Sequence, residues 1–89
     1  MNRELLGQEA FSVGMYVQTF LLALTEEGVG SCVEISVAGY PDVVKKEVGI
    51  DDDLQVLCGI AIGFEDGEAN VNHIRSVRDD VERNTAWVQ

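Results

Sequence analysis

Cations are scarce in this sequence: six Lys and Arg stand against 16 Asp and Glu, for a formal charge of −10. A nucleic-acid backbone and an anionic membrane surface both need clustered cations, so neither is an expected partner. Cysteine is nearly absent. Cys32 and Cys58 are too few for a disulfide framework or a four-ligand zinc site. The single histidine, His73, removes most His-based metal and triad chemistry, so no metal site is expected. There is one proline, no Pro/Gly/Ser linker, no repeat and no low-complexity tract. With 89 residues, the chain is expected to form one domain, residues 1–89. No apolar run of signal-peptide length opens it, and the longest apolar stretch, residues 10–24, is broken by Ser12, Gln18 and Thr19. That stretch is too short to cross a bilayer, which leaves a cytoplasmic location as the default expectation. At 46% hydrophobic, the chain is still too apolar for intrinsic disorder.

Residues 8–27 read as a helix without proline, and Gly28 stands where a left-handed C-terminal cap belongs. Its apolar residues, from Ala10 and Phe11 to Leu22 and Leu24, cover nearly the whole circumference instead of one stripe. Such a helix must be covered on more than one side, by the rest of the chain or by a second subunit. Ala10 and Gly14, four apart, leave a groove where another backbone could approach. A β-prone run follows at residues 31–37. Pro41 then opens a second helix that Gly49 ends. The acidic triplet Asp51, Asp52 and Asp53 lacks the alternating ligands of a calcium loop and reads as a solvated turn.

Residues 54–64 alternate bulky side chains (Leu54, Val56, Cys58, Ile60, Ile62, Phe64) with small ones (Gly59, Ala61, Gly63). That alternation predicts a central strand with both faces covered and Cys58 as a core thiol. The chain then turns polar through residues 65–72. Beyond it, Arg75 and Arg78 lie close together in an otherwise acidic molecule. They are either surface partners of Asp79, Asp80 or Glu82, or an anion site, since guanidinium forks match phosphate geometry.

Four blocks in this order resemble the C-terminal part of the flavin-dependent nitroreductase family. They are GMYVQTFLLAL from Gly14, EGVGSC from Glu27, YPDVVKKEVGI from Tyr40, and LCGIAIGF from Leu57 leading to NHIRSVR at residues 72–78. The resemblance implies an α+β fold, an antiparallel sheet packed with helices, with the long first helix buried at the interface of a homodimer. It implies FMN as cofactor and electron transfer from a nicotinamide cofactor to nitroaromatic or quinone-type acceptors. Carried over residue by residue, the segment running past the flavin ring falls at Val33, Glu34, Ile35 and Ser36. Arg75 and Arg78 match the late basic pair that reaches the flavin phosphate. The family often has Pro near Val33 and Gly near Ser36, and this sequence has neither. The family's opening Arg-Ser-x-Arg segment and its middle segment have no counterpart before Arg3. A truncated or minimal form is therefore expected, completed by a second copy or by a complementing chain. The competing expectation is a non-catalytic dimerising module without flavin. A third, a small acidic protein with a basic partner, rests on charge alone.

Overall fold

A computed structural model describes residues 3–89, and side chains from residue 7 onward. The N-terminal stretch read as free of a targeting signal therefore begins, at Met1 and Asn2, outside the described residues. Three helices and two strands follow in the order α1 (Arg3–Glu26), β1 (Gly30–Glu34), α2 (Pro41–Val48), β2 (Gly59–Gly63) and α3 (Val81–Asn84). Short 3-10 turns occupy Ser36–Gly39 and Asn70–His73.

α1 begins five residues earlier than the apolar pattern alone indicated, since Arg, Glu and Leu are good helix formers. Its end is locally specified. Gly28 adopts φ +74°, Gly28 N–H donates to the Thr25 carbonyl at 3.0 Å, and Val29 N–H donates to Leu24 at 2.9 Å. This pair of bonds satisfies carbonyls that a helix end otherwise leaves without partners. α2 closes in a similar way. Gly49 sits at φ +76°, and the amides of Gly49 and Ile50 both donate to the Lys45 carbonyl, at 2.9 and 3.0 Å. The Lys45 ammonium reaches on to the Asp52 carbonyl at 3.0 Å, tying α2 to the acidic turn.

β1 and β2 form a two-stranded antiparallel sheet, in register from Gly30 opposite Gly63 to Glu34 opposite Gly59. The expected strand over residues 54–64 is corrected here. Only Gly59–Gly63 pairs, residues 54–58 run irregularly, and neither face is sealed: Ile62 is 52% exposed and Phe64 86%. With β1 on one edge and, among the described residues, no strand on the other, the bulky–small alternation is covered only in part, at Gly59 by Val37. Cys58 is half-buried instead of a core thiol. β1 likewise stops at Glu34, short of the β-prone run, because the chain tightens into the 3-10 turn that begins at Ser36.

α1 packs against β1, and residues 53–57 run past Glu9, Ala10 and Val13, enclosing a hollow of about 190 Å³. Within the chain the helix half-buries one stripe only: Ala10, Val17, Phe20, Leu21 and Leu24. Phe11, Met15, Tyr16 and Leu22 stay exposed, with the Tyr16 and Phe20 rings stacked at 6.4 Å. Among the described residues none is buried. The accessible surface is 8125 Å², whereas a compact monomer of this length exposes about 5,100 Å². The radius of gyration, 16.8 Å, also exceeds the roughly 12 Å of a compact domain.

The two strand glycines lie on one face of the sheet and offer a direct check of which end of it is occupied. A Cβ built on Gly59 meets Val37 Cγ2 at 3.1 Å, while one on Gly63 meets nothing within 4 Å. Val37 is stiff about χ1 and yields poorly. Gly59→Ala should therefore lower stability by about 1 kcal/mol. Gly63→Ala should be neutral or raise it by up to about 0.5 kcal/mol, because Ala restricts the unfolded chain. Denaturant titration of both variants decides the point, and equal losses would contradict the geometry.

Candidate functional site

The sheet carries one substantial concavity. A cleft of about 510 Å³ lies against Gly30–Cys32 of β1 and Ala61–Gly63 of β2, continuing along Phe64, Glu65 and Asp66, with Asn72 at its side. That volume falls within the roughly 300–1,000 Å³ range of small-molecule clefts. Its lining is mostly apolar, with Ser31 and Cys32 contributed by β1 and Glu65 and Asp66 by the segment after β2. No Lys, Arg or His lines it.

The polar segment after β2 is held by its own backbone, which is how it can wall the cleft without being buried. Asp66 Oδ1 accepts from the Glu68 amide at 3.0 Å, and Asn72 Nδ2 donates to the Asp66 carbonyl at 2.6 Å. His73 Nε2 lies 2.8 Å from the Gly67 carbonyl. Asp and Asn side chains closing on nearby backbone groups are the usual device for fixing such a turn. His73 is thereby a turn residue on the surface.

The residues expected at a flavin site are not gathered into this cleft. Val33, Glu34, Ile35 and Ser36 are exposed and run from the end of β1 into the 3-10 turn. Their neighbour Cys32 is the last β1 residue to line the cleft. Arg75 and Arg78 lie in the irregular stretch between His73 and α3, outside the cleft lining. Arg75 Nη1 donates to the carbonyls of Asn72 at 2.8 Å and Ile74 at 3.0 Å. Arg78 Nη1 donates to Ser76 Oγ at 2.6 Å and to the Val77 carbonyl at 3.1 Å. Among the described residues neither arginine pairs with Asp79, Asp80 or Glu82. Among the described residues the ion pair present is Arg83 with Asp79, at 3.6 Å. Sequence reasoning missed Cys32, Phe64, Glu65, Asp66 and Asn72 as a group. The signal was available in Asp66-Gly67 and Asn72, turn formers immediately beyond a strand.

The nitroreductase family model matches residues 7–64, well over half of the sequence. The chain belongs to the nitroreductase family. It is 36% identical over 78 residues to nitroreductase NfnB of Mycolicibacterium smegmatis, a match spanning 88% of this chain and 33% of that protein. It is 30% identical over 66 residues to a 4-nitrobenzoate reductase of Pseudomonas putida, spanning 74% and 29% respectively. The crystal structure of the FMN-dependent NfnB from Mycobacterium smegmatis in complex with NADPH superposes with a TM-score of 0.81 at 34% identity. That superposition covers 85% of this chain and 34% of the crystallised one. The chain thus spans about a third of the length of the curated relatives it matches, and its fold is a partial nitroreductase fold. Val33 to Ser36 lie within the residues matched by the family model, and Arg75 and Arg78 lie beyond them.

Asn72 offers the most direct handle on the cleft wall. Asn72→Ala removes the 2.6 Å bond to the Asp66 carbonyl, which the Ala69 amide also reaches at 3.2 Å. On an exposed turn that loss should cost about 0.5 kcal/mol. The Glu68 and Ala69 amides should exchange with solvent faster while the β1–β2 amides are unchanged. Unaltered exchange at Glu68 and Ala69 would show that Asn72 does not hold the turn.

Proposed function

We propose that this chain is the partial form of an FMN-dependent NAD(P)H oxidoreductase of nitroreductase type, reducing nitroaromatic or quinone-type acceptors as an assembly. The observation that carries this reading is the superposition of 85% of the chain on a nitroreductase described as FMN-dependent. The donor chemistry fits the cofactor. Arg75 and Arg78 are exposed guanidinium groups with no carboxylate bound to them, spaced three residues apart on an irregular segment. Planar forks of that kind suit a dianionic phosphate. On this reading, Arg75 and Arg78 hold the phosphate, and Val33, Glu34, Ile35 and Ser36 present exposed backbone to the ring. Bound FMN supplies the electron transfer between a nicotinamide donor and the acceptor. No side chain here is required as nucleophile or general acid.

The assembly is a homodimer, or a complex with a complementing chain. Support comes from the roughly 3,000 Å² of surface in excess of a compact monomer, an amount typical of obligate interfaces. The uncharged α1 span, residues 10–25, supplies much of that surface without bringing carboxylates together. Leu22 is 61% exposed in the single chain, so Leu22→Asp costs little unless a partner covers it. Sedimentation should show an assembly at micromolar concentration that Leu22→Asp converts to monomer or aggregate. A soluble monomer in both proteins would remove the assembly.

The second reading, a dimerising module without flavin, is favoured by the way the Nη1 atoms of Arg75 and Arg78 close on their own segment. Colour separates the two. The proposed oxidoreductase retains yellow FMN absorbance through desalting, and Arg75→Ala with Arg78→Ala should weaken FMN binding by tenfold or so, about 1.4 kcal/mol. Riboflavin, which lacks the phosphate, should be affected much less. Equal weakening of both ligands marks a folding defect, and binding of neither by the unaltered protein leaves the non-catalytic module.

A further inference from the structure

β2 is paired on one side only. β1 takes up one edge of Gly59–Gly63, and among the described residues no strand lies along the other. In an antiparallel ladder alternate residues turn their N–H and C=O groups outward, and among the described residues those of β2 have no backbone partner outside the ladder. Exposed edges in folded proteins ordinarily carry a lysine, a proline or a bulge that discourages pairing. This edge has none of the three: residues 54–64 contain no charged residue and no proline, and the register with β1 runs unbroken. The order of its residues is a second, independent observation. Gly59-Ile60-Ala61-Ile62-Gly63 reads the same in both directions. A two-fold axis through Ala61, perpendicular to the sheet, therefore sets two such edges antiparallel with like against like. Gly59 meets the partner's Gly63, Ile60 the partner's Ile62, and Ala61 the partner's Ala61. The isoleucines then share one face with Val33, which lies opposite Ile60 in β1, and the small residues share the other. A slip of one residue would put each isoleucine against a glycine or an alanine. Charge favours the same arrangement. Glu65 and Asp66 follow β2 directly, so a parallel pairing in register would stack each on its own copy about 4.8 Å away. The antiparallel pairing holds the two Glu65 residues about 27 Å apart along the strands, each at the level of an uncharged Leu57.

We infer that the free edge of β2 is a self-association surface whose partner is the β2 edge of a second copy of this chain, paired antiparallel about Ala61 into a continuous four-stranded sheet. The contact is isologous and uses both free β2 edges, so it closes at two chains. This rests on the homodimer form of the proposed assembly and names one contact within it. It does not involve flavin.

The experiment places charge on the axis. Ala61 is exposed in the single chain, so a longer charged side chain there has room beside the β1–β2 ladder. Across the two-fold axis the same charge meets itself with Cβ atoms about 5 Å apart. Ala61→Lys and Ala61→Glu should each raise the dimer dissociation constant about tenfold in dilute buffer, as read by sedimentation. An equimolar mixture of the two variants should restore association to that of the unaltered protein or better, which a misfolded variant would not do. In dimers of one isotope-labelled and one unlabelled copy of the unaltered chain, filtered NOEs should join the Ile60 methyls of one to the Ile62 methyls of the other. An assembly that neither Ala61 variant weakens, a loss that mixing does not restore, or absence of those NOEs overturns the inference. If Leu22→Asp dissociates the assembly in that case, the homodimer reading stands without this contact. A monomeric unaltered protein, its β2 edge free or taken by a different chain, removes both.

Discussion

Uncovered apolar surface is the constraint from which the rest of this chain follows. Folding is ordinarily offset by burial at about 25 cal/mol per Å² of apolar area, against roughly 1–2 kcal/mol of backbone entropy per residue ordered. Here no described residue is buried, and Phe11, Tyr16, Leu22 and Phe64 face outward. The glycine caps after α1 and α2 and the β1–β2 ladder hold each element locally. None of them supplies a core. On the reading that the chain works as an assembly, stability comes from surfaces brought against α1 and the sheet, and site geometry depends on that covering as much as on the chain.

Charge placement makes such covering feasible despite the net −10. Residues 10–25 carry no ionisable group except Tyr16, so the helix can approach another surface without desolvating a carboxylate. The acids lie outside that span: at α1's ends, in α2 and the Asp51–Asp53 turn, in and beside the sheet, and around α3. The cations are spread differently. Lys45 is spent on the Asp52 carbonyl and Arg83 on Asp79, while Arg75 and Arg78 share an exposed stretch without a carboxylate. On the oxidoreductase reading, that stretch is where the flavin phosphate finds its guanidinium partners.

What the sequence made legible was whatever is decided locally. α2 runs from Pro41 to Val48 as the proline and glycine punctuation indicates, and Gly28 and Gly49 take the left-handed conformation their positions demand. The strand over residues 54–64 was misjudged because its large–small alternation is written for two covered faces, which one chain with a two-stranded sheet does not provide. Periodicity reports the environment a segment is suited to, whether or not that environment is present. The family blocks were recognisable because order and spacing survive in a third of a fold. The cleft was not, because it is made by register: Cys32 opposite Ala61, with the Asp66–Asn72 turn folded alongside, and no pattern along the chain encodes that opposition.

Cofactor binding and assembly are therefore linked on the oxidoreductase reading. A flavin ring resting on the exposed Val33–Ser36 backbone, with its phosphate at Arg75 and Arg78, would bridge two segments that the single chain leaves unjoined. The arginines belong to a tail whose Nη1 groups close on its own carbonyls and hydroxyl, and those local bonds must loosen before both guanidinium forks can converge on one phosphate. If only a fraction of chains holds the two segments in place, apparent affinity falls by that fraction. A surface laid against α1 and the sheet raises the fraction, and bound cofactor raises the affinity of that surface by the same factor. Flavin affinity then depends on protein concentration.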